Sequence, residues 1–195
     1  MSEPTRERNP YAPPSTQVGD PGRHQGARSP ALPFFAVSVT KFIVMTVATL
    51  GFYELYWFYR NWKLIRERDG TAIMPVWRAI FSIFFIRSLF TQVRDFNHAV
   101  NPDARPLPAG PLAWGWIILS LMAWLPGLWG YLLPELAFLF VVPVQMRANL
   151  INATVAPDHD PNSQFTALNW LGVVLGVVLL AVGSVIVAFL PAVDF

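Results

Sequence analysis

The sequence predicts an all-α, polytopic membrane protein with four or five transmembrane helices, one of them either spanning or interfacial, and three observations carry that expectation. Of 195 residues, 54% are hydrophobic and only 13% are charged, whereas an ordinary soluble domain is about a quarter charged. The apolar residues are gathered into runs: Ala167 to Leu190 holds 24 residues without a charge and would reach roughly 36 Å as a helix. A dense cluster of rings, Phe52 to Tyr59, is followed at once by Arg60, Lys63, Arg66 and Arg68. Aromatic rings settle at headgroup depth and cationic side chains on the cytoplasmic face.

Residues 1–33 contain seven prolines among Ser, Thr, Gly and charged residues. Such a stretch buries too little apolar surface to offset its ordering entropy and is read as a disordered tail. It lacks the apolar core of a secretory signal. The helical membrane domain is expected over 34–195. Its first span covers 41–60, with 34–39 at the interface ahead of it, Lys41 snorkelling to the near surface and the tail external.

For 75–98 the sequence offers two readings. Pro75 suits the first turn of a helix. Arg87, Thr91, Arg94 and His98 then share one face, with Phe84, Phe85, Leu89, Phe90 and Val93 elsewhere on the helix. This is either a short span with a polar seam or a helix lying flat on the cytoplasmic leaflet. The flat version places nine basic residues inside against three outside, and the spanning version shows no bias, so the interfacial form is preferred.

Further spans are expected near 112–125 and 128–146, folded back at Pro126-Gly127, with kinks at Pro134 and Pro143. The last span, 167–190, carries Gly172, Gly176 and Gly183 on one face with Asn169 a turn earlier. Small residues and an amide form a helix-packing surface, either within the chain or against a second copy.

The polar and lipid-contact candidates are Glu54, Arg78, Arg87, Arg94 and Glu135. A carboxylate at Glu54, near the hydrocarbon boundary, is either functional or ion-paired with Arg78 or Arg87. Glu135 follows Pro134 and suits a helix N-terminus, though it could equally take up a proton. The basic stripe of 87–98 would attract anionic headgroups. There is no cysteine, so disulfides and thiolate sites are excluded. His24, His98 and His159 lack metal-ligand spacing, and no catalytic set, phosphate loop or other cofactor signature is present. Nothing points to an enzyme or to nucleic acid.

Thr49 to Trp62, T-L-G-F-Y-E-L-Y-W-F-Y-R-N-W, resembles the recurring box of a bacterial family of small multipass membrane proteins of unknown function. The likeness extends to Val37–Phe42, Pro75–Phe81, Pro143–Gln145 and the Asn149 and Asn152 pair. This resemblance implies a bacterial inner-membrane location and supplies no activity or ligand. The expected partner is the bilayer, with anionic headgroups and a homo-oligomer as further options. The leading functional expectation is a non-enzymatic lipid-interacting or partner-binding scaffold; the alternative is a small transporter or channel subunit acting as an oligomer.

Overall fold

Three turns of chain direction organise the molecule. The computed structural model describes residues 31–125 and 133–189. The tail up to residue 30 and the expected Pro126-Gly127 turn lie outside the described residues. Those described contain no strand and include the α-helices α1 Val39–Ala48, α2 Phe52–Asp69, α3 Pro75–Ile80, α4 Ser82–Val100, α5 Ala109–Leu121, α6 Val142–Val155 and α7 Ala167–Phe189, with residues 133–135 also helical. Short 3₁₀ turns follow α5 (Met122–Trp124) and precede α6 (Ala137–Phe140).

The Ser38 side chain accepts from Lys41 N at 3.2 Å and starts α1. Leu50 (φ 52°) and Gly51 (φ 81°) then both adopt left-handed conformations, and the chain reverses. Thr49 sews the break by donating to Met45 O at 2.7 Å and accepting from Tyr53 N at 2.9 Å. Phe42 consequently lies on Trp57, ring centroids 5.9 Å apart, and Phe35 on Tyr56 at 5.7 Å. The expected single span over 41–60 is therefore corrected to an antiparallel hairpin. Lys41 and Arg60 come to the same end of the domain instead of opposite faces.

A second hairpin follows. α2 stops at Gly70, left-handed with φ 63°, and α3 returns along it. Arg78 reaches Trp62, and Ser82 shares a cavity with Glu54. Phe81 (φ −96°, ψ 38°) breaks the helix, and α4 runs back until Gln92 meets Arg68. The region 75–98 is thus neither one span nor one flat helix. It enters to the depth of Glu54 and leaves on the side where it began. α5 climbs to the same depth at Trp116, and α6 descends from it, with Arg147 donating to Arg105 O at 2.9 Å. Gly115 and the Phe140 ring bring these two legs into close contact.

The largest fully buried side chains include Trp57, Trp62, Phe34, Phe42, Phe58 and Phe90, and they pack α2 against its neighbours: Trp57 meets Phe42 of α1 and Gln145 of α6, and Phe58 meets Trp116 of α5. Burying each such ring contributes about 1.5–3 kcal/mol against leaving it in water. α7 stands apart: it begins where Lys41 meets Gln164 and Phe165, runs beside α1, and passes beyond the α1–α2 turn. From Gly176 to Phe189 that projection is roughly 20 Å. By length and composition one helical stretch among the described residues, Leu133–Val155 (23 residues), could cross a membrane; Val39–Ala48, Ala109–Trp124 and Ala167–Gly183 are apolar but shorter.

Candidate functional site

At the end where 31–38, 70–74, 101–108 and 156–166 gather, Phe34 to Val37 run buried outside any helix, with no neighbouring strand among the described residues. Buried backbone groups need partners, and side-chain amides supply them. Asn152 acts as a one-residue strand mimic, accepting from Phe34 N at 3.2 Å and donating to Phe34 O at 2.9 Å. Asn61 accepts from Phe35 N at 3.1 Å, and Asn162 donates to Ala36 O at 3.1 Å. Gln145 Nε2 lies 3.2 Å from Phe35 O, 3.0 Å from Val37 O and 2.8 Å from Asn149 Oδ1, so three acceptors share two protons. Its Oε1 accepts from Trp57 Nε1 at 2.5 Å. Asn149 donates to Val37 O at 2.9 Å. Gln145, Asn149 and Asn152 recur at one-turn spacing, which puts all three on one face of α6. Val37, Trp57 and Asn61 thus meet Gln145, Asn149 and Asn152 in this latch, whereas Pro75–Phe81 takes no part in it.

Around it lies a layer of guanidinium groups over rings. Arg60 sits 5.3 Å from the Phe35 centroid, Arg68 is 5.3 Å from Phe34 and 4.9 Å from Phe96, and Arg78 is 4.4 Å from Trp62 and 5.0 Å from Phe85. Cation–π contact of this kind contributes about 0.5–2 kcal/mol, more when desolvated. Arg68 also hydrogen-bonds Asp69, holding that carboxyl below its usual range. Lys41 is buried, not snorkelling: its ammonium donates to Asn162 Oδ1 at 2.8 Å and Gln164 O at 2.7 Å. Arg66 and Arg87 remain exposed, Arg94 pairs with Asp95 at 2.8 Å, and His98 is exposed. The stripe of 87–98 thus faces outward, with Ile86, Leu89, Phe90 and Val93 buried behind it.

At the opposite depth the indole of Trp116 donates to the carboxylate of Glu54, and no cation lies within ion-pair distance of that carboxylate among the described residues. The expected pairing of Glu54 with Arg78 or Arg87 is corrected. Arg78 is committed to the Trp62 and Phe85 rings, and Arg87 faces outward. Sequence reasoning missed Trp116 because it comes 62 positions later, and no local pattern marks it. Glu54 and Glu135 line one cavity of about 320 Å³, together with Thr46, Phe58, Ser82 and Trp116.

On α7, Gly172 lies 3.6 Å, measured from where its Cβ would be, from Met45 and Thr49. Gly176 is pressed against the Ala48 carbonyl, whereas nothing approaches Gly183 within 4 Å. The amide of Asn169 is used at the helix start: its Oδ1 accepts from Thr166 N and Oγ1, both at 3.0 Å. It acts as a capping group instead of a bond across a seam. Among the described residues no group of three His, Asp or Glu side chains could hold a metal ion.

The class these features define is an all-helical domain of inward-dipping hairpins closed by an amide latch. No protein-family model, curated protein or solved structure matches the chain.

Proposed function

We propose that the chain is a non-enzymatic protein of a bacterial inner membrane, embedded by its hairpins and α7, whose basic end holds anionic lipid headgroups of the cytoplasmic leaflet. The observation that carries this reading is the outer face of the second hairpin. Met74, Val76, Trp77, Ile80, Phe81 and Phe84 are exposed there, Phe84 to 76%, with the unpaired Arg87 one turn further on. An apolar patch of that extent edged by a cation suits a lipid interface. Each basic residue near the surface would add about 1 kcal/mol of attraction to anionic lipid. In detergent, phosphatidylglycerol is expected to raise the melting temperature more than phosphatidylcholine, and the double variant R66Q/R87Q to lose most of the difference. Equal shifts with both lipids would remove the lipid function.

This reading also sets a topology, because the hairpins return Lys41, Arg60, Arg68, Arg105 and Arg147 to one end. Single cysteines at Ala31, Thr71, Asp103 and His159, in a chain without native cysteine, are expected to resist an impermeant thiol reagent in intact cells and to react in inverted vesicles. Labelling at Ala31 in intact cells would restore a crossing first span. The second reading, an oligomeric transporter or channel subunit, draws on the cavity between Glu54 and Glu135. Ion flux in reconstituted vesicles, lost in E54Q, would favour it over the lipid scaffold.

A further inference from the structure

Two carboxylates face one cavity with no ion-paired cation among the described residues, and the other groups there indicate which chemistry it could hold. Thr46 is only 1% exposed, lines the cavity, and its hydroxyl oxygen has no hydrogen-bond partner among the described residues. A buried hydroxyl left unpaired costs about 1–3 kcal/mol, so its placement there calls for a donor or acceptor from a ligand. Trp116 orients Glu54 through one carboxylate oxygen, and the second carries no hydrogen bond among the described residues. Glu135 is half-buried and without an ion pair among the described residues. Ser82 adds a second hydroxyl from the α3–α4 break, and Phe58 and Trp116 supply ring surface.

We propose that the cavity between the α1–α2 turn, the start of α4, Trp116 and Glu135 binds a small organic ammonium ion, free or as the headgroup of an aminolipid. Two carboxylates in apolar surroundings stay ionised only with a compensating positive charge beside them, which an ammonium ion would bring. The hydroxyls accept N–H protons, and the rings favour a cation carrying alkyl groups. A bare metal ion fits poorly. It would leave most of about 320 Å³ unfilled, and the third acidic or histidine ligand is missing among the described residues. The volume instead matches the lower range of small-molecule sites.

The test uses the full chain in a neutral detergent, titrated with methylammonium or ethanolamine against sodium chloride at equal ionic strength, and separately with a short-chain phosphatidylethanolamine. A saturable rise in melting temperature with the ammonium compounds and not with sodium is expected. E135Q, which removes a carboxylate with no ion pair among the described residues, should weaken the apparent affinity about tenfold or more, the loss of one charged hydrogen bond. S82A should weaken it less. Response to ethanolamine alone assigns the site to a free cation; response to phosphatidylethanolamine alone assigns it to a headgroup. An identical rise with sodium, or full response in E135Q, would overturn the site. The lipid reading above is unaffected, because it concerns anionic lipids and arginines at the other end.

Discussion

Q145L is expected to be the most damaging single change in the domain, costing about 3–5 kcal/mol of stability. Leucine matches the volume of glutamine closely, so the loss is not one of packing. What disappears is the partner of four buried groups: the Trp57 indole N–H, the carbonyls of Phe35 and Val37, and the Asn149 side-chain oxygen. Asn149 retains its own bond to Val37 O, which limits the damage at that carbonyl. The Trp57 indole and Phe35 O are left with nothing at a position that is fully buried. Chemical unfolding in detergent measures the effect. W57F alone removes the donor as well as its bond, and adding it to Q145L should cost less than the sum of the two, a coupling of about 1–2 kcal/mol. Strict additivity would show that the indole and the amide do not act as a unit. Because the latch holds Phe34 to Val37, Q145L should also make the chain near Ala36 more readily cut by protease.

Helix content and the apolar character of 133–146 and 167–183 were legible because they rest on local composition, which the bilayer-length pattern reads directly, whereas the helix continues through the more polar 147–155. The first hairpin was not. Its turn consists of Leu50 and Gly51 between two strongly apolar runs, and leucine in a left-handed conformation is rare enough that no sequence rule anticipates it. The same difficulty hid the break at Phe81, where neither glycine nor proline marks the change of direction. Once α1 and α2 fold back, each charge changes neighbours. Glu54 meets an indole from α5, Arg78 a ring from its own hairpin and from α2, and Lys41 a loop more than a hundred residues away. Such contacts are set by topology and not by spacing. Asn61, Gln145 and Asn152 carried one usable signal: a fully buried amide in an apolar helix has to find partners, and an extended segment without a strand beside it is a natural place to find them. The basic, aromatic end of α2 was visible from its residue order, but not that two of its cations, Arg60 and Arg68, would stack on rings.

The three glycines of α7 should separate sharply, in a way a small-residue motif alone would not predict. A methyl group on Gly176 would lie far inside contact distance of the Ala48 carbonyl, a backbone atom that cannot rotate away. G176A therefore forces α7 off α1, and about 1–3 kcal/mol of overpacking cost is expected. The methyl of G172A would stand 3.6 Å from the flexible ends of Met45 and Thr49, which is ordinary contact, and stability should be unchanged. G183A meets nothing within 4 Å and should be equally silent. If the glycine face instead joined two copies, G176A would lower the oligomeric mass while leaving the monomer as stable as before. If it closes the domain on itself, the mass is constant and the melting temperature falls. Thermal unfolding and light scattering on the three variants decide between these outcomes. Loss of stability in G172A equal to that in G176A would mean that the close approach is not centred on Ala48.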